Sequence, residues 1–310
     1  MSNVRTAIIP IAGLGSRLYP ATKAIPKAFF PVVDEDGFMK PLLHLLVAEA
    51  LSAGVERVVI VAHPDHRARI AQYFNEPVPS PLRGKPELAS VLAEIETMRS
   101  RTVITAQESP EGFGHAVLCA RDYVRTGPVL VIVGDHIFRV AEGRPSCAAQ
   151  AVEFFDTYQR SIVGVERVDA SWVDALAIIQ GDPLDDEGRA FRVEYLKEKP
   201  GIEEAQRRFR VPSLPPDTWL GTIGIDVLTP PIFEILDYNY RNDIRSRGEI
   251  QLRDAMETLV LLEGMVAGVL EGERLDVGTA EMWLATTTRL ALDSPHGESV
   301  RRALDNAASS

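Results

Sequence analysis

In the first 135 residues, short runs of β-branched and other apolar residues alternate with longer stretches whose apolar residues return at helical spacing. The runs are TAIIPI (6–11), RVVIVAH (57–63), RTVITAQ (101–107) and PVLVIVGD (128–135). They are nearly continuous rather than alternating, which suits strands covered on both faces. Between them, PLLHLLVAEALSAG (41–54), HPDHRARIAQYF (63–74) and GHAVLCARDYV (114–124) predict helices. Strand, helix, strand in this order requires right-handed crossovers and a mostly parallel sheet flanked by helices. The fold class expected is therefore α/β.

After about residue 160 the pattern changes. SIVGVERV (161–168), ALAIIQ (175–180), AFRVEYLKEKP (190–200) and TWLGTIGIDVLT (218–229) read as strands, and GDPLDDEG (181–188) is dense in turn formers. This predicts a smaller antiparallel part that carries a second half of a site. A helix at 249–262, a short strand around MVAGVLEG (265–272) and a last helix from near Thr279 follow, and the end DNAASS is expected to be flexible. Residues 76–90, with four prolines, predict a surface excursion.

Charge and cysteine usage remove several function classes. A formal net charge of -11 disfavours a nucleic-acid partner, because phosphate backbones reward basic surfaces. A local basic pocket for a small anion stays open. The two cysteines, Cys119 and Cys147, are too few for a disulfide framework and lack zinc spacing, so both are expected as small buried apolar residues. No long apolar run supports a signal peptide or a membrane span, and the expected location is the cytoplasm, with no membrane partner.

The loop after the first strand, IAGLGSRLYPATKAIPKAFFP (11–31), has neither helical nor strand periodicity. A glycine-rich turn in this place points backbone N–H groups outward, toward phosphate oxygens. It is not a Walker loop, which ends in Gly-Lys-Ser/Thr. It is not the dinucleotide fingerprint either, because Leu18 replaces the third glycine and His63, not an acid, ends the second strand. Arg17, Lys23 and Lys27 sit on a segment stiffened by proline, and three cations beside exposed amides suit a triphosphate. Asp135 stands at the carboxyl end of an apolar strand, where open α/β sheets bind ligands.

PIAGLGSRLYPATKAIPK is very similar to the signature of bacterial UTP–glucose-1-phosphate uridylyltransferases, in the sugar-phosphate nucleotidylyltransferase superfamily. GFGHAVLCA (112–120), GDHIF (134–138), EKP (198–200), GEIQLRDAM (248–256) and DVGT (276–279) match in the family order, over nearly the whole chain. The resemblance implies a Rossmann-like, mostly parallel mixed sheet of the nucleotidyltransferase and glycosyltransferase-A kind. It implies one domain, with a nucleotide-binding half (1–140), a sugar-phosphate-binding half (141–230) and an extension (231–300) supplying Asp276. Residues 301–310 are then a flexible tail.

The implied reaction joins UTP and a sugar 1-phosphate, glucose 1-phosphate first, and releases pyrophosphate. Asp135 and Asp276 are implied ligands of Mg²⁺, and Arg17 and Lys27 neutralise the phosphates. Ala12, Gly13, Leu14, Gly15, Gln107 and Gly112 are implied at the nucleotide, and Glu198, Lys199 and Ala177 at the sugar phosphate. His136 is expected to be structural, since imidazole suits magnesium poorly. Glu249 and Gln251 are expected to cap a helix, with Asp254 in its first turn. A homo-oligomer is implied by the family alone.

Three departures loosen the sugar assignment. Ala177 stands where the family commonly has glycine, Ala28 follows the second lysine where an acid is usual, and DEDGFMK (34–40) is an insertion. Two alternatives therefore remain beside the first reading. One is transfer of a thymidylyl group from dTTP, or transfer to another sugar or cyclitol phosphate. The other is a non-catalytic regulator that binds a nucleotide sugar.

Overall fold

The computed structural model describes residues 2–124 and 126–308. Strand β1 is Thr6–Ile11, and a hairpin of β2 (Pro31–Val33) and β3 (Met39–Pro41) follows. Next come β4 (Arg57–Ala62), β5 (Thr102–Ala106) and β6 (Val129–Ile132). Strands β5, β4, β1 and β6 lie side by side in that order, all parallel. Ile8 pairs with Val59 on one side and Val131 on the other, and all three are buried. Continuous apolar runs are what this double-sided burial demands. Of DEDGFMK, expected as an insertion, residues 34–38 are the turn of the β2–β3 hairpin, and Met39 and Lys40 open β3.

The second half continues the same sheet. Its strands are β7 (His136–Arg139), β8 (Ser161–Val168), β9 (Ala177–Pro183), β10 (Ala190–Glu198), β11 (Trp219–Leu228), β12 (Met265–Val269) and β13 (Glu273–Asp276). The nine-stranded order is β5-β4-β1-β6-β11-β8-β12-β10-β9. Strand β11 runs antiparallel to β6 and to β8, so it is the seam between the parallel half and the mainly antiparallel half. Every residue of β11 is buried. Its register slips between Thr222 and Asp226, around Gly224 at φ 88°. A Cβ there would strike Val133, whose N–H donates to the Gly224 carbonyl at 2.9 Å, so only glycine serves.

Several expectations need correction. The helix expected over 114–124 is an α-helix only over Phe113–Leu118. It tightens afterwards into i to i+3 bonds, with the Tyr123 N–H on the Ala120 carbonyl at 3.0 Å. Helix Ala89–Arg101, which follows the exposed excursion, has only Met98 buried and so shows little periodicity to read. The helix expected from 249 starts at Leu252, because the Ile250 N–H is bonded to the Glu111 carbonyl at 2.8 Å. Strand β9 takes Gly181, Asp182 and Pro183 out of the expected turn. Residues 301–308, expected to be flexible, belong to an exposed helix, Gly297–Ala308, with Arg302 four residues from its partner Glu298. Ser309 and Ser310 lie outside the described residues. Cys147 is buried as expected, whereas Cys119 is half-buried with its Sγ 3.8 Å from His115 Nε2. No helix among the described residues is long and apolar enough to cross a membrane.

At the seam, the Asp226 carboxylate on β11 accepts from Arg253 Nη1 at 2.8 Å, both groups almost fully out of water. Burial pushes the Asp226 carboxyl up, against the pull of the guanidinium. Arg253→Ala leaves that carboxylate without its counter-ion and should destabilise the fold by about 3–5 kcal/mol. The loss should be larger at the higher of two pH values than at the lower, since a carboxyl raised in the folded state costs stability as pH rises. Urea unfolding at the two pH values checks both the size and the sign.

Candidate active site

The carboxyl ends of β1, β4, β5 and β6 open into a cleft of about 650 Å³ that β9, β10 and β13 complete. Another hollow, of about 620 Å³ between helices Pro231–Arg241 and Leu252–Glu263, has Glu234, Asp254 and Glu257 in its wall and no cation, so it repels phosphate. The first cleft is the reverse. Ala12, Gly13, Leu14, Gly15, Arg17, Lys27, Gln107, Gly112, Asp135, Ala177, Glu198, Lys199 and Asp276 all line it. Lys23 is not among its lining residues. Trp172, Arg274 and His66 are, though no motif marked them, and so is Gly278 of the DVGT motif.

The loop after β1 is held open by its glycines. Gly13 has nothing within 4 Å of where a Cβ would lie, so the backbone faces free space. Gly15 is left-handed at φ 63°, and its carbonyl accepts from Thr22 Oγ1 at 3.2 Å. Arg17 is mostly exposed, whereas Lys27 is largely buried on the turn Lys27–Phe29. Ala28, beside it, is packed into the core, where an acidic side chain would lack water.

The acidic centre depends on a strand pairing. β13 is antiparallel to β7 and sets Asp276 opposite His136, next to Asp135. The Val277 N–H donates to the Asp135 carbonyl at 2.9 Å. Lys27 Nζ lies 3.0 Å from Asp135 Oδ2, and Arg17 Nη2 lies 3.9 Å from the same oxygen. Burial pushes the Asp135 carboxyl up, but Lys27 and His136 outweigh it and the net shift is downward. Burial acts likewise on Asp276, yet His136 and the Gly278 N–H, which donates to Oδ1 at 2.5 Å, bring it down to about 2. Both groups are therefore carboxylates at neutral pH. His136 donates from Nδ1 to the Ile223 carbonyl at 2.9 Å, which turns Nε2 toward Asp276 at 3.8 Å.

The two carboxylates and Arg17 meet over Gly278. A Cβ on that glycine would lie 2.9 Å from Asp276 Oδ1, 3.1 Å from Arg17 Nη2 and 3.4 Å from Asp135 Oδ2. Glycine keeps this space free. Among the described residues no three His, Cys, Asp or Glu side chains gather as a complete metal cage. Magnesium is commonly held by one or two carboxylates plus substrate phosphates, and this oxygen-only pair fits that mode.

At the β5 end, the Gln107 N–H bonds to the Ala62 carbonyl and its Nε2 donates to the Gly112 carbonyl at 2.9 Å. Gly112 lies against Glu249 and the Ile250 backbone at φ 110°, where any side chain would collide. Gln251 stands at the N-cap of helix Leu252–Glu263 without capping it, contrary to expectation. Its Nε2 donates to Glu249 at 3.0 Å instead, and both side chains line the cleft. At the opposite end Ala177 pairs with Glu198 across β9 and β10. Lys199 follows in a left-handed conformation, φ 50°, costly for a residue with a Cβ, and its N–H is bonded to the Leu176 carbonyl at 3.1 Å. Lys199 Nζ lies 3.7 Å from Glu198 Oε1, which leaves the ammonium partly free. Cations and amides at one end, two carboxylates in the middle and a charged pair at the other can hold a long polyanion beside a second phosphate.

The family model described as nucleotidyl transferase matches residues 6–291. A UTP–glucose-1-phosphate uridylyltransferase of Bacillus subtilis (strain 168) is 34% identical over 301 residues, covering 94% of this chain and 92% of that protein. UTP–glucose-1-phosphate uridylyltransferase 2 of Staphylococcus saprophyticus is 34% identical over 311 residues, 97% of each chain. A solved UDP-glucose pyrophosphorylase of Acinetobacter baumannii superposes with a TM-score of 0.80 at 27% identity, covering 98% of this chain and 99% of that one. A UDP-glucose pyrophosphorylase complexed with UDP-glucose gives a TM-score of 0.76 at 28% identity over 92% of this chain and 98% of that one.

The depressed Asp276 carboxyl makes a prediction about acid stability. Its folded-state value, about 2, lies below the ordinary 3.8, so its stabilisation is complete above pH 3.8 and disappears as pH falls through 2. Asp276→Asn should therefore be less stable than the wild type at pH 6, by roughly 1–2 kcal/mol. The gap should close toward pH 2. Denaturation in EDTA, which removes any contribution from bound metal, checks this.

Proposed function

This chain belongs to the nucleotidyl transferase family, and on that premise we propose that it transfers the uridylyl group of UTP to glucose 1-phosphate, releasing pyrophosphate. The observation that carries the reading is the meeting of Arg17, Lys27, Asp135 and Asp276 in one cleft. Relatives named for this reaction over nearly their full length support it.

The nucleophile is an oxygen of the sugar phosphate, already ionised, so no general base is required. It forms a bond to the α-phosphorus in line with the bond that breaks, and the leaving pyrophosphate takes that electron pair. The main obstacle is repulsion between two anions. Arg17 presents forked donors to the β- and γ-phosphates, and Lys27 places a point charge near the reacting centre. Asp135 and Asp276 would hold Mg²⁺, which when bound supplies positive charge shared between the two phosphates. Gln107, Gly112 and the backbone from Ala12 to Gly15 hold the nucleotide. Glu198 accepts from a sugar hydroxyl, and Lys199 pairs with the sugar phosphate, its raised backbone cost being the kind of strain that recurs at functional sites. A homo-oligomer in the cytoplasm completes the reading, and light scattering tests the assembly.

Asp135→Asn and Asp276→Asn should each lower kcat on the order of 100-fold or more with the fold intact. Pyrophosphate release at limiting Mg²⁺, beside a circular dichroism spectrum, decides it, and full turnover in either variant sinks the metal assignment. Without activity on UTP and any hexose 1-phosphate, the wild type would be a binding protein instead.

Ala177 tests the sugar side. It lines the cleft beside Glu198, its partner across β9 and β10, and a methyl-sized change there should discriminate by roughly 1–3 kcal/mol. Ala177→Gly should raise kcat/KM for glucose 1-phosphate and leave KM for UTP unchanged. A parallel change in both would place Ala177 away from the sugar.

A further inference from the structure

Trp172 and Arg274 both line the cleft on its acceptor side, and the chemistry above uses neither. Trp172 closes a short turn, Ala170–Trp172, fixed at its start by Asp169, whose Oδ1 accepts from the Ser171 N–H at 2.8 Å. The Trp172 carbonyl accepts from Ala175 and Leu176, at 3.0 and 3.1 Å, and the Leu176 carbonyl holds Lys199. The indole is thus tied through backbone to the proposed phosphate partner. Its body packs on the small buried cluster that includes Val173, Phe209 and Trp219. Its N–H has no hydrogen-bond partner among the described residues.

The ring is also fixed from the metal side. The Arg274 guanidinium lies 4.7 Å from its centroid, in cation–π contact. Nε and Nη2 of Arg274 each lie 2.8 Å from Glu166 Oε1. The side chain is only 4% exposed, so a charge has been taken out of water for one carboxylate and one ring. An apolar side chain of similar size would avoid that desolvation. Arg274 stands two residues before Asp276 on β13, so both side chains leave the same face of the strand. The stack of Glu166, Arg274 and Trp172 therefore sets the indole relative to Asp276.

We propose that Trp172 is a specificity-determining residue of the acceptor pocket, its ring positioned by Arg274 and Glu166. The indole N–H, a donor only, meets a hydroxyl oxygen of the sugar 1-phosphate, and the ring edge closes the pocket to bulkier ring substituents. This rests on the uridylyl transfer proposed above.

Pyrophosphate release with UTP is measured for glucose 1-phosphate and N-acetylglucosamine 1-phosphate. Trp172→Phe, which loses the N–H, should raise KM for glucose 1-phosphate by about two- to tenfold. Trp172→Ala should raise it further and shift the kcat/KM ratio toward the N-acetylated acceptor. Arg274→Lys keeps the charge but loses the planar stack, and should move acceptor KM in the same direction. KM for UTP should stay within about twofold throughout. Unchanged acceptor KM in the Trp172 variants, or equal rises for both substrates, overturns the proposal. Tryptophan fluorescence titrated with glucose 1-phosphate gives a second readout. A saturable change in the wild type should vanish in Trp172→Phe, where Trp219 and Trp283 remain. If the wild type releases no pyrophosphate with either acceptor, the transfer reaction is wrong. The fluorescence result then decides Trp172 alone: a change lost in Trp172→Phe upholds it, and no change in the wild type overturns it.

Discussion

The cleft depends on four residue pairs that join β13 to β7. They return the chain from near its C-terminal end and set Asp276 opposite His136, beside Asp135. Two carboxylates brought together in a partly buried place repel each other and resist ionisation. Here Lys27, His136 and the Gly278 N–H offset that cost, and both groups lie below their ordinary range. The charges of this centre thus offset one another within the cleft.

The same strand links the centre to the acceptor side. Asp276 and Arg274 leave one face of β13, the first toward Asp135 and Gly278 and the second toward Glu166 and Trp172. A shift of β13 would therefore disturb the carboxylate pair and the acceptor wall together. Strand β11 supports this arrangement from below. Its slip around Gly224 lets a parallel sheet and an antiparallel one share a fully buried strand, with Asp226 and Arg253 paired across the seam.

The three places read from the sequence as departures from the family pattern sit in different surroundings. Ala28 lies in the core beside Lys27, where a charge would be buried, and DEDGFMK supplies a hairpin turn and the start of β3, with Lys40 buried among Asp34, Asp36 and Glu94. Ala177 is buried too and, like Ala28, lines the cleft, where it pairs with Glu198.

Local chemistry was enough for the sequence alone to determine the parallel strands, the phosphate-suited loop and the strand-end Asp135. Apolar runs must be covered, glycines must turn, and clustered cations must find an anion. The distant motifs carrying Gln107, Glu198, Lys199 and Asp276 were legible through resemblance, since no spacing rule relates residues so far apart in the chain. Helix Ala89–Arg101 and the short strands β7 and β13 were not legible, because one buries a single side chain and the others are four residues each. Trp172 and Arg274 carry no motif that would mark them. Only tertiary structure decided that they stack, that Gly278 leaves room between two carboxylates, and that Gln251 leaves its helix uncapped. Such facts arise where strands remote in sequence are brought side by side, and distance along the chain holds no record of them.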